Sequence, residues 1–131
     1  MKFTDTLHLI LKDKWFQMYK DGLKTEEYRE ITPYWCNRLL GCVPFGLKFW
    51  QIELDKNSPI KKYNPFALNL LMKKFGLRGF ESVTFHRGYT NEKITFLLKN
   101  IRIDYGDMNL GAPDELCFII ECGNFISYIK K

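Results

Sequence analysis

Apolar and polar residues alternate near the start of the chain, where Leu7, Leu9 and Leu11 interleave with His8, Ile10 and Lys12. A period of two predicts a first strand with one face fully buried. Asp13 then stands where it can cap a short helix, on which Trp15, Met18 and Tyr19 share a face by i, i+3, i+4 spacing. Asp21-Gly22 closes that helix, the glycine supplying the left-handed conformation that a helix end often needs. The chain becomes extended over about 25–31. Strand parity puts Thr25, Glu27, Arg29 and Ile31 on one side. Lys24 has the wrong parity for that side and joins Glu27 and Arg29 only if it still lies in the turn. Thr32-Pro33 starts a second helix, with Thr32 as cap and Pro33 in the first position. Tyr34 to Leu40 follow and Gly41 ends it.

The pattern weakens over 41–63, where Phe49 to Leu54 reads as a strand or a turn of helix and Asn57-Ser58-Pro59 as a loop. Asn64-Pro65 opens a clearer helix, with Lys73 and Lys74 in its last turn and Gly76 at its end. Ala67, Leu70, Leu71 and Phe75 are its expected core face. The remainder is β-rich. Val83 and Phe85 point inward against Thr84 and His86, and residues 86–91 form a loop. Ile94, Phe96 and Leu98 make one apolar face, which Ile101 and Ile103 resume after a change of parity that suggests a bulge at Lys99-Asn100. Residues 106–115 are a turn-rich loop, 117–122 a buried strand and 125–129 a last one. The expected class is α+β, a curled sheet of five or six strands with two or three helices. A small barrel suits it because closure removes edges.

Composition narrows the classes. A chain of 131 residues, 46% hydrophobic and 16% aromatic, fits one domain with a real core and argues against disorder. No apolar run reaches the ~18 residues of a membrane span. Met1 to Asp5 lacks the apolar core of a signal peptide, so the expected compartment is the cytoplasm with no membrane partner. Cys36, Cys42, Cys117 and Cys122 are spaced more widely than zinc ligands usually are. They read as reduced, mostly buried thiols.

The net charge is +5, yet residues 56–80 carry Lys56, Lys61, Lys62, Lys73, Lys74 and Arg78 with no acid, and the rest of the chain holds 14 basic against 15 acidic side chains. The basicity therefore belongs to one segment. It suits a polyanion such as nucleic acid, or it is a solvated helix face.

Four charges of both signs crowd into Lys24, Glu26, Glu27 and Arg29 just after Gly22. A lysine beside a carboxylate and an arginine binds a phosphate or carboxylate, or transfers a proton if burial perturbs it. The bland alternative is a paired strand edge. Tyr34 and Trp35 place aromatic rings near basic groups, as base stacking needs, though aromatics at a helix start also serve cores. His86, Arg87 and Tyr89 make a second polar cluster, with His86 as a possible acid, base or donor or as a plain surface histidine. With only His8 and His86 in the chain, no histidine-based metal site is expected, nor any cofactor. Phosphate-loop, serine-elbow and zinc-deaminase motifs are missing.

The spacing G-x-K-x-x-E-x-R, carried by Gly22, Lys24, Glu27 and Arg29, resembles the signature of ASCH domains, small relatives of the PUA-like RNA-binding barrels. The order of Leu7 to Lys12, Lys14-Trp15-Phe16, Gly22 to Glu30 and Pro33-Tyr34-Trp35 is similar to small ASCH proteins of bacteria and phages. Residues 81–123 follow more loosely, and 41–80 look like a basic helical insertion within the single domain 1–131. The resemblance implies a PUA-like β-barrel flanked by helices, with Lys24, Glu27 and Arg29 lining a cleft. Its members are thought to act on RNA or nucleosides, some as amidohydrolases on acetylcytidine and others like ribonucleases.

The amidohydrolases have a Thr nucleophile where Glu27 stands here. Thr25 is not its equivalent, and Asp114 and Glu115 are only the nearest candidates for their further acid. That mechanism is therefore not carried over. The leading expectation is an RNA- or nucleotide-binding protein. Its cleft residues would be Lys24, Glu27 and Arg29, with Tyr34, Trp35, His86, Arg87, Tyr89, Lys61, Lys62, Lys73 and Lys74 as further contacts. The alternatives are a hydrolase on RNA or a modified nucleoside, in which Lys24, Glu27 and Arg29 are catalytic, and a protein-interaction module with a vestigial cleft.

Overall fold

A computed structural model describes residues 5–40, 66, 69–70, 72–73 and 79–130. Five strands form one mixed sheet: β1 (Asp5–Leu11), β2 (Glu26–Glu30), β3 (Phe80–Arg87), β4 (Lys93–Tyr105) and β5 (Leu116–Ile129), in the order β1-β3-β4-β5-β2. The helices α1 (Asp13–Lys20) and α2 (Pro33–Leu39) are among the described residues. β1 pairs with β3 in parallel, and β3 pairs with β4 antiparallel. The class is α+β, as the residue pattern indicates. The closed barrel is not formed: among the described residues the sheet is open, with β1 and β2 at its two ends.

The chain divides into two compact units, and β2, β4 and β5 each contribute to both. In the first unit (Met1–Glu27, Gly79–Ile101, Ile120–Lys131), Leu7, Leu9 and Leu11 are buried, as are Val83, Phe85 and Ile94. The alternation in β1 therefore reads directly as one buried face. Helix α1 begins one residue earlier than an Asp13 cap requires. Lys12 is the cap residue and makes no side-chain capping bond, while Asp13 is the first helical residue and accepts from Gln17 at 3.2 Å. Phe16 and Tyr19 are the buried residues of α1, and Trp15 and Met18 are only half-buried. Tyr19 stacks on Phe85 with ring centroids 4.1 Å apart. A fully buried large side chain of this kind contributes about 1.5–3 kcal/mol.

The end of α1 follows its expected form. Gly22 has φ 75°, its N–H donates to the Tyr19 carbonyl at 3.2 Å, and Leu23 N–H donates to the Met18 carbonyl at 2.8 Å. These two bonds cap the last carbonyls in the Schellman arrangement.

The second unit (Tyr28–Arg78, Arg102–Ile119) has its own apolar cluster of Tyr28, Ala112, Cys117 and Ile119, with Leu110 packed against it. Thr32 caps α2 as its sequence indicates, its hydroxyl accepting from Trp35 N–H at 3.3 Å. Phe66, Asn69, Leu70, Met72 and Lys73 are helical. Asn69 receives Ile103 N–H and donates to Ile103 C=O, both at 2.8 Å, so one amide satisfies both backbone groups of a strand residue. That contact selects the inward face of this helix. Met72 is buried and Leu70 is 53% exposed, which corrects the expected inward position of Leu70. Ala67, Leu71, Phe75 and the stretch 41–65 lie outside the described residues.

The change of parity in β4 is present within one uninterrupted strand, with Ile94, Ile101 and Ile103 buried. Residues 117–122 and 125–129 are not two strands but parts of β5. Gly123-Asn124 reads as a break, yet a Cβ on Gly123 would come 3.3 Å from the Leu97 carbonyl oxygen. The glycine therefore marks a close backbone approach and not a turn.

Candidate functional site

The first unit holds a buried ion pair. The turn is at Asp21-Gly22, and Lys24 lies after it in the irregular segment before β2, from which it reaches the carboxylate three residues on. Its Nζ donates to Glu27 Oε1 at 2.9 Å, and Tyr19 Oη donates to the same oxygen at 3.0 Å. Lys24 is 3% and Glu27 4% exposed. The ammonium also lies 4.5 Å from the Trp15 ring centroid and 5.4 Å from that of Tyr19. Two desolvated charges are costly, and close pairing, a hydrogen bond and ring faces are what offset that cost. Cys122 stands near this pair. Burial above all, and then the charge of Glu27, pushes its thiol up to about 12.

A second charged group surrounds Glu92, which is also buried. Tyr128 donates its hydroxyl to Glu92, Arg87 Nε donates at 2.7 Å, and Lys20 Nζ lies 3.5 Å away. The Tyr128 hydrogen bond, followed by Arg87, holds the Glu92 carboxyl below its ordinary range against the opposing effect of burial. Tyr128 and Glu92 hold the Lys20 ammonium above its ordinary value. Arg87 also reaches Asp13 at 3.4 Å, tying β3 to the start of α1. Beside this group, Tyr19, Lys20, Phe96, Phe125 and Tyr128 line a mainly apolar pocket of about 400 Å³. Tyr19 thus has two roles, its ring in the pocket wall and its hydroxyl on Glu27.

The second unit holds an aromatic and guanidinium cluster. The Arg29 guanidinium lies 5.2 Å from the Trp35 ring centroid, and Arg29 Nη1 donates to its neighbour's carbonyl, Tyr28 O, at 2.7 Å. Arg38 lies 5.6 Å from the Trp35 ring and donates to Tyr34 Oη at 3.1 Å. Tyr34 meets Trp35 edge to face at 4.9 Å and is 60% exposed. One turn of α2 makes this possible, since positions 34 and 38 are i, i+4 neighbours. Arg38 was not singled out in the sequence, although its spacing from Tyr34 was the available signal.

The remaining sequence candidates separate. His86 and Arg87 are successive strand residues and face opposite ways. Arg87 joins Glu92 and Asp13, whereas His86 meets His8 at 2.9 Å. Tyr89 is 94% exposed. Lys73 is an exposed helical residue, and Lys61, Lys62 and Lys74 lie outside the described residues. Glu92, Lys20 and Tyr128 also escaped the sequence reading, because Glu92 and Tyr128 are 36 positions apart and lack a local pattern.

Cys36 and Cys117 are buried free thiols, pushed up to about 12 and about 11 mainly by burial. Among the described residues no group of three or more His, Cys, Asp or Glu stands ready to hold a metal ion, and no helix is long and apolar enough to cross a membrane. No family model matches the chain, and neither do the curated proteins or the solved structures.

Proposed function

We propose that this chain is an RNA- or nucleotide-binding protein related to the ASCH domains. The observation that carries the reading is the Tyr34-Trp35 pair with Arg29 and Arg38 held against it. The exposed Tyr34 ring beside Arg38, with Arg29 over the adjoining Trp35 ring, offers a face for a base and donors for a phosphate, the two elements of single-strand recognition. Arg29 belongs to the G-x-K-x-x-E-x-R spacing. In that spacing Lys24 and Glu27 fold onto each other as a buried pair, which supports a structural part for them. A buried, paired lysine is poorly placed to meet substrate, so binding is favoured over hydrolysis.

Labelled single-stranded RNA of mixed sequence tests this directly. The wild-type chain is expected to bind with an affinity that falls steeply with salt, and Tyr34→Ala together with Arg38→Gln is expected to weaken it. Absence of binding at low salt, or binding untouched by those substitutions, would remove the reading.

A further inference from the structure

His8 and His86 are 78 positions apart, and the parallel pairing of β1 with β3 brings their side chains together. The register places Ile10 opposite His86 and His8 opposite Thr84. His8 Nδ1 lies 2.9 Å from His86 Nε2, with ring centroids 5.2 Å apart and rings tilted by 39°. Both residues lie on the side of the strands opposite Leu7, Leu9, Val83 and Phe85. His8 is exposed and His86 half-buried.

We propose that His8 and His86 form a two-histidine chelate for a late first-row divalent cation, with Ni²⁺, Cu²⁺ and Zn²⁺ as the fitting class. Two nitrogens bound at about 2.0–2.1 Å to one tetrahedral or square-planar ion stand about 2.9–3.4 Å apart. The observed separation is at the short end of that bite. What changes is the direction of the lone pairs. In the hydrogen bond one nitrogen points at the other, and around an ion both converge. Rotation about the Cβ–Cγ bonds supplies this.

The proton balance is simple. The ring whose N–H bridges the pair passes that proton through solvent to its own far nitrogen, both rings stay neutral, and water completes the coordination. Ligation requires both rings in the neutral form. Lys93 is the cross-strand neighbour of His86 and repels a bound cation. Lys93→Gln therefore strengthens the site, a consequence that a purely structural histidine pair would not show. Bound metal would cross-link the two parallel strands and raise the stability of the fold by mass action.

The test is NiCl2 titration of the untagged full chain, with the thiols blocked, followed by the imidazole resonances and by thermal unfolding. Both imidazoles are expected to broaden together at one equivalent, and the unfolding midpoint is expected to rise with Ni²⁺. His8→Asn loses both effects, and Lys93→Gln shifts the titration to lower Ni²⁺. Broadening of one imidazole alone, of neither, or a midpoint rise that survives in His8→Asn would overturn the site. The wild-type resonances decide the matter even if a variant does not fold. RNA binding enters none of these readouts.

Discussion

Lys24 Nζ and Glu27 Oε1 are 2.9 Å apart, and each side chain is almost completely removed from solvent. A pair in this position is defined by what happens when one partner goes. Lys24→Met removes the Lys24 charge from beside the buried Glu27 carboxylate, and the expected cost is about 3–5 kcal/mol. Glu27→Leu is costly for the same reason in reverse. The double variant Lys24→Met/Glu27→Leu removes both desolvation penalties and is expected to regain most of the loss. Urea unfolding of the three variants measures this. Single variants that each cost under about 1 kcal/mol would mean that water reaches the pair.

Glu92 makes stability depend on pH. Its carboxyl is held below the ordinary value of 4.5, first by Tyr128 and then by Arg87. A carboxyl depressed by folding stabilises the native state above its unfolded value, and that contribution is lost as pH falls through the folded value. Lys20 is raised above 10.5, so its contribution is complete below that value and is lost as pH rises through the higher folded one. Glu92→Gln is expected to flatten the decline of the unfolding midpoint below about pH 4.5 and to lessen the alkaline decline. Equal slopes in wild type and variant would exclude Glu92 as the source.

Two glycines are constrained for different reasons. Gly22 has φ 75° and open space around the position of a Cβ. Gly22→Ala therefore costs only the left-handed backbone, about 1–2 kcal/mol. Gly106 is limited by contact, since a Cβ there would sit 2.5 Å from Tyr28 Cε1 and 2.6 Å from Ala112 Cβ. Gly106→Ala must displace the Tyr28 ring in a packed cluster, and the expected cost is about 1–3 kcal/mol. Near-ultraviolet circular dichroism separates the two cases, because only the Gly106 variant disturbs a tyrosine's surroundings.

The sequence made the local devices legible and hid the distant ones. The leucines of β1, the Gly22 helix end and the Thr32-Pro33 helix start depend on neighbouring residues, and each stands as read. The pairing of Lys24 with Glu27 is also local, although Lys24 makes it from the segment after the turn and not from the turn itself. The inward face of the helix holding Asn69 was not legible, because a bond to Ile103, 34 positions away, turns Met72 inward and Leu70 outward. Glu92 with Tyr128 and His8 with His86 depend on strand register in the same way. The continuity of β5 was concealed by Gly123, whose lack of a side chain signals Leu97 and not a turn. The barrel failed for a related reason: pairing of the end strands is a property of the whole sheet, and short-range alternation carries no information about it.

The cluster on α2 gives the sharpest test of recognition. Removing the Tyr34 ring takes away one stacking face, worth about 1–3 kcal/mol per base, which corresponds to about a 5- to 150-fold rise in Kd for single-stranded RNA. Arg38→Gln keeps the helix but removes one positive charge and the Nη1 hydrogen bond to Tyr34. If Arg38 meets a phosphate, the slope of log affinity against log salt falls by about one, while Tyr34→Ala leaves the slope unchanged. Fluorescence anisotropy at several salt concentrations reads both quantities from one set of titrations. The same slope effect from Tyr34→Ala would mean that this variant disturbs the fold of α2 instead of stacking. No change of slope in Arg38→Gln would move the phosphate contact away from α2 and toward the basic stretch 56–80.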